Sequence, residues 1–125
     1  MATARLIQPD GAITTEVTLG GTVAVGQFVR NSAGSVVVTA ADTQVSFGLA
    51  MGSGVSGEKI AILVSGLIEM EASSALSIGS DIAWQTNHEA QTATTGEVIL
   101  GQAVSAAAAD GDAVIVNFQP SSRTA

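Results

Sequence analysis

The chain is written twice. An offset of 53 positions (69 − 16) carries Glu16 onto Glu69, Gly26 onto Gly79, Val45 onto Val98, Gly48 onto Gly101 and Ala50 onto Ala103. After one inserted residue, Gly57, Glu58, Ile60, Ile62 and Val64 fall on Gly111, Asp112, Val114, Val116 and Phe118. Each half has a V-x-V-G or L-x-I-G turn (Val23 to Gly26, Leu76 to Gly79), then an F/L-G-x-A segment, a small-residue loop, a G-[ED] turn and a closing alternating strand. Self-similarity of this kind restricts the fold to one that two copies of a single unit can build.

The unit is a β unit. Thr15 to Leu19 alternates, Phe28 to Asn31 follows a glycine turn, and Ser35 to Thr39 is a β-branched run bounded by Gly34 and the Ala40-Ala41-Asp42 loop. Ser46 to Met51 and Lys59 to Val64 complete the first half. In Lys59 to Val64, Ile60, Ile62 and Val64 point to one face, with Ala61 and Leu63 on the other. Period two, β-branched enrichment and regularly spaced turns are strand signals. The second half has strands at Leu67 to Glu71, Ile82 to Gln85, Val98 to Val104 and Ala113 to Gln119. In place of the Val-rich strand it has the polar segment Thr86 to Thr95, which reads as a more exposed hairpin. The short runs Ala72 to Leu76 and Ala106 to Ala109 are well below the dozen or so residues that an isolated helix needs in water, so each is worth one helical turn at most.

These patterns predict an all-β fold: a small β-barrel or β-sandwich-like domain built from two similar halves, with an extended N-terminal arm and little helix. The arm spans residues 1–12, the single β domain residues 13–119 (pseudo-repeat 13–65 and 66–119), and a flexible polar tail residues 120–125. Pro9 favours an extended conformation in the residue before it. Arg5, Leu6, Ile7, Gln8 and Pro9 therefore read either as a frayed terminus or as an arm that adds itself as a strand to a neighbouring chain.

A 125-residue chain buries about two-thirds of its unfolded surface. Its only aromatics are Phe28, Phe47, Phe118 and Trp84, so the core rests on Val, Ile, Leu and Ala. That is a thin core for a monomer, and an oligomer interface would supply more burial. Four basic residues face eleven acidic ones, for a net charge of −7. Nucleic-acid binding needs clustered cations that displace phosphate counterions; here the cations are scattered and outnumbered, which argues against direct contact with DNA or RNA. With no cysteine there is no disulfide framework and no thiolate chemistry. No apolar run approaches the roughly 18 residues of a membrane helix, and residues 1–11 lack the apolar core of a secretory leader.

No residue set announces catalysis, a cofactor or a metal. His88, the one histidine, lies in Asn87-His88-Glu89 and reads as a solvated hairpin residue. Glu69 and Glu71 share a strand face; they could form an acid pair, but an exposed face with Ile68 and Met70 turned inward is the plainer account. Asp110-Gly111-Asp112 is too short of oxygen ligands for a calcium loop and reads as a turn, like Ser56-Gly57-Glu58. The stretch Gly52 to Gly57 matches G-x-G-x-x-G, yet a strand follows it, so no helix N-terminus is there to hold a pyrophosphate. Trp84, at the position matching Asn31, reads as a partly buried core aromatic or as an interface anchor.

The ordered series Val25-Gly26-Gln27-Phe28-Val29, Phe47-Gly48-Leu49-Ala50, Gly57-Glu58-Lys59-Ile60, Ile78-Gly79-Ser80-Asp81-Ile82, Leu100-Gly101-Gln102-Ala103 and Asp110-Gly111-Asp112-Ala113-Val114 resembles tailed-phage capsid cement (head-decoration) proteins. The resemblance covers about residues 16–118 and rests on turns and strands; Ala83-Trp84 departs from the commoner Val-Trp or Val-Tyr pair. It implies a non-enzymatic virion protein, made in the host cytoplasm, that binds the major capsid protein on the outer surface of the expanded head. It also implies a homotrimer at three-fold positions that holds the shell against internal DNA pressure, without membrane or nucleic-acid contact. The arm and Trp84 are then the candidate capsid or inter-subunit contacts. A head-fibre or host-surface carbohydrate-binding module is the alternative.

Overall fold

The alternating segments become ten strands and no helix among the described residues, which in this computed structural model are 4–7, 11–40, 44–85, 88–119 and 124. The strands are β1 (Arg5–Leu6), β2 (Ile13–Thr18), β3 (Phe28–Ser32), β4 (Ser35–Val38), β5 (Gly48–Ala50), β6 (Lys59–Glu71), β7 (Asp81–Gln85), β8 (Glu89–Thr92), β9 (Ile99–Ala103) and β10 (Ala113–Phe118). Neither short Ala-rich run forms a helical turn. Leu76 and Ala107 instead bridge each other antiparallel, because the sheet offers their backbone groups partners that a single helical turn could not.

The sequence suggests a break between Lys59–Val64 and Leu67–Glu71, but the structure has one continuous strand, β6. Gly66, with a φ of 155°, takes a backbone conformation that residues with a Cβ rarely adopt, so glycine carries the strand through this point. A Cβ there would meet Ala12, Leu6 and Leu63 side-chain atoms only at ordinary contact distance, 3.4 Å, so the backbone angle and not crowding calls for glycine.

All ladders are antiparallel, and they form one curled, half-barrel sheet in the order β4-β3-β5-β6-β10-β9-β7-β8, with β1 and β2 also on β6. Pairing runs in the same order on both sides of Gly66. The N-terminal part of β6 joins β2 to β5, then β3 and β4; β10 joins the C-terminal part of β6 to β9, then β7 and β8. Parallel bridges Leu19 to Val36 and Ala72 to Ala90 curl each set toward closure.

The sequence offset also relates turn hydrogen bonds. Gly26 N–H donates to Ala50 C=O as Gly79 N–H does to Ala103, and Val23 N–H donates to Gly54 as Leu76 does to Ala107. The inserted residue falls in the last loop. Glu58 Oε1 accepts from the N–H of Val55 at 2.7 Å, whereas Asp112 Oδ2 accepts from both Ala108 and Ala109 at 3.1 Å.

One apolar cluster gathers Leu19, Val23, Val29, Val36, Ala50, Ile60 and Ile62. The larger one contains Phe28, Leu49, Ile68, Met70, Ile82, Trp84, Leu100, Val114 and Phe118 among others. Phe28 and Phe118, both fully buried, meet with ring centroids 5.5 Å apart and planes tilted by 54°. Neither has an aromatic counterpart at the repeat offset, so the two sets of strands are joined by residues the repeat does not share.

Candidate functional site

Extended backbone with apolar and basic side chains seeks a sheet edge, and the arm finds one in its own chain. Arg5 and Leu6 pair with Glu69 and Ile68 of β6, Ile7 N–H donates to Leu67 C=O at 3.1 Å, and Ala4 N–H to Gly26 C=O at 3.2 Å. Ala4 is buried and Leu6 packs on the larger cluster. Arg5 Nε donates to Glu69 Oε1 at 3.0 Å, an ion pair whose side chains are 67% and 34% exposed. Solvent screening holds such a pair to about 0–1 kcal/mol, so backbone pairing and Leu6 supply most of the attachment. Gln8 and Pro9 lie outside the described residues.

Beside the arm, Ala4, Arg5 and Leu6 line a cleft of about 220 Å³ with Val25, Leu49, Ala50 and Met51. Val25 and Met51 are exposed there. At the repeat offset stand Ile78 and Val104, which are 70% and 46% exposed. Exposed apolar side chains thus recur at matching positions of the two sets of strands. Sequence reasoning missed them by taking Val25 and Ile78 as turn residues. The available signal was that each directly precedes a turn glycine, Gly26 or Gly79, with a φ of 86°, which puts it at the tip of a tight turn.

Trp84 is buried, at 5% exposure, with no free face for a partner. Its indole Nε1–H donates to His88 Nδ1 at 2.9 Å, and the same nitrogen accepts the Phe28 N–H at 3.2 Å. The expectation of a solvated His88 is overturned: it is 4% exposed, edge-on to Trp84 at 5.5 Å and stacked on Phe28 at 6.1 Å. A φ of 61° at His88 turns the hairpin tip back over the core, at the place where Gly34 (φ 85°) ends the β3–β4 turn. Burial pushes its pKa below the ordinary imidazole value. Nδ1 is occupied by two N–H donors, which assigns the proton to Nε2 and leaves Nδ1 unavailable as a base. The hairpin is also less exposed than its polarity suggests, since Ala90 pairs with Trp84 and is fully buried.

Glu69 and Glu71 share the outer face of β6 while Ile68 and Met70 are buried. With Met70, Gly111 and Ala113 they line a cleft of about 210 Å³. The pKa of Glu89 is raised, by desolvation first and then by the negative charges of Glu71 and Asp110. Among the described residues no three His, Cys, Asp or Glu side chains gather in the manner of a metal site. Asp112 is committed to its turn, and Gly111 takes the left-handed φ of 90° that the turn requires.

Among the described residues the arrangement offers an occupied sheet edge and exposed apolar turn tips, and it brings no nucleophile and base together. The fold is similar to that of a solved structure, the crystal structure of head fiber gp8.5 N base in bacteriophage phi29. The TM-score is 0.60 at 15% sequence identity, covering 86% of this chain and 94% of that one. No curated protein matches the sequence. The phage cement protein family matches over residues 7–118, which leaves Arg5 and Leu6 just before the matched region. The chain therefore belongs to the phage cement protein family, a structural component associated with the phage head.

Proposed function

We propose that this protein decorates the outer surface of the expanded phage head as a homotrimer and holds neighbouring capsid subunits together against internal DNA pressure. The observation that carries this reading is the near whole-chain family match, residues 7–118. Physical features support it. The apolar turn tips Val25 and Ile78, with Met51 and Val104, supply dehydratable contact area. A net charge of −7 keeps the protein off packaged DNA. The arm residues Arg5, Leu6 and Ile7 and the adjacent cleft are the proposed contacts with capsid or sister subunits. Trp84 contributes indirectly, by holding the β7–β8 hairpin to the core through His88.

Co-sedimentation with undecorated expanded heads tests the reading: saturable binding at a fixed ratio to the capsid subunit is expected, and a protein that stays in the supernatant refutes it. The carbohydrate-binding alternative needs an aromatic platform. The burial of Trp84 removes the only tryptophan, and the chain has no tyrosine.

A further inference from the structure

The arm's seat on β6 has a counterpart that no described strand fills. β2 is to the first set of strands what the C-terminal part of β6 is to the second. Glu16, Thr15 and Thr14 stand at the repeat positions of Glu69, Ile68 and Leu67, where Arg5, Leu6 and Ile7 are held. β2 pairs with β6 on its inner side, and among the described residues no strand pairs its outer side over Thr14–Glu16.

The outward backbone groups follow from the ladder. Residues facing each other in an antiparallel pair alternate between exchanging hydrogen bonds and turning away. Ala61, opposite Glu16, gives its C=O to Met51 N–H on the β5 side, so Glu16 turns its own N–H and C=O outward. Thr14, two residues earlier and opposite Leu63, does the same. In the second set Ile115 C=O goes to Val104 N–H, Glu69 opposite it turns outward, and that is where the arm adds.

Side chains complete the match. A strand added in the arm's register sets a cation against Glu16 as Arg5 is set against Glu69. The next residue then crosses Thr15 between its same-face neighbours Ile13, 59% exposed, and Val17, half-buried. An open edge carrying an exposed isoleucine is a template for strand addition.

We propose that the outer edge of β2, Thr14–Glu16, is a second strand-addition site. Its occupant is an extended segment of the capsid subunit bearing Lys or Arg opposite Glu16 and an apolar residue opposite Thr15. The chain's own arm is already seated on β6 with Leu6 against the core, and a chain with eleven acidic and four basic residues complements a cationic segment. The capsid as source rests on the function proposed above; the competence of the edge does not.

The experiment has two arms on the full-length chain. Titration with a synthetic peptide of residues 2–9, which carries the Arg-Leu-Ile pattern, is followed by amide NMR. Saturable shifts are expected at Thr14, Thr15 and Glu16, with roughly tenfold weaker binding in Glu16→Arg, the loss expected for one charge-assisted contact. Binding to undecorated heads is then compared for parent, Glu16→Arg and Glu16→Pro; Glu16→Pro deletes the outward N–H at an edge position that tolerates proline. Both variants should retain the parent's melting temperature and bind heads at least tenfold more weakly. Heads bound equally by parent and variants would overturn the proposal while leaving the cement function intact. Heads bound by none of them would refute the cement function, and the peptide shifts would still decide the edge. Peptide that leaves β2 unmoved overturns the edge itself. Self-association that Glu16→Arg abolishes reassigns the edge to a second copy and overturns the capsid segment.

Discussion

Replacing His88 by alanine should be among the most damaging single changes in this protein. The ring fills a site bounded by Phe28 and Trp84, and its Nδ1 is the acceptor for two N–H groups, Trp84 Nε1 and the Phe28 backbone. Each buried donor left without a partner costs about 1–3 kcal/mol, and the missing ring adds a cavity term. The sum is about 3–5 kcal/mol, a large fraction of the roughly 5–15 kcal/mol that holds a typical domain. Urea unfolding followed by Trp84 fluorescence is a direct assay, because the only tryptophan is one of the two donors. With a urea slope of about 1.5–2 kcal/mol per molar the midpoint should fall by about 2 M. His88→Asn, which tolerates the left-handed φ of 61° and offers an amide oxygen, should lose about half as much. A His88→Ala midpoint within about 0.5 M of the parent would refute the view that this histidine pins the hairpin to the core.

Acidification should weaken the fold through the same residue. The folded pKa of His88 lies below its reference of 6.5, so the unfolded chain binds the extra proton first, and stability is lost as the pH falls below 6.5 toward the folded value. The limiting slope is about 1.4 kcal/mol per pH unit. Glu89 acts in the opposite sense, since its raised folded pKa relieves a penalty as the pH drops, so melting curves in a Glu89→Gln background isolate the histidine. Gly101→Ala should cost at least about 3 kcal/mol or abolish soluble expression, because the new Cβ falls on the Asn117 carbonyl in a paired strand. Gly96→Ala, in open space with a φ of 90°, should cost about 1–2 kcal/mol by the same denaturation assay. Arg5→Ala should shift the melting temperature little, reflecting less than about 1 kcal/mol for an exposed ion pair.

Strand positions and turns were legible because period-two alternation and left-handed glycines are local signals: Gly26, Gly79, Gly57 and Gly111 all punctuate where they were read. The burial of Ile68 and Met70 beneath Glu69 and Glu71 was legible for the same reason. What local pattern could not carry was long-range pairing. Ser65-Gly66 looks like a chain break, but neighbours on both sides keep it in the sheet. His88 looks solvated among polar residues, and it is buried because Trp84 Nε1–H, four positions away, and the Phe28 N–H, sixty positions away in the chain, converge on its Nδ1. The exposed pairs Val25 with Met51 and Ile78 with Val104 required knowing which side of each turn faces out. The home seat of the arm was likewise invisible, because Arg5 and Glu69 are 64 positions apart.

β6 is the last strand of one set and the first of the next, within a single unbroken run from Lys59 to Glu71. Neither set can be opened without stripping partners from a strand the other also uses, and Phe28 and Phe118 lock their interiors together. The expected consequence is cooperativity: despite its doubled text the chain should unfold as one unit, and calorimetric and van't Hoff enthalpies that disagree would refute this. In the cementing role proposed above, such a protein would hold at full strength until the whole fold gives way, with no gradual loosening before that point.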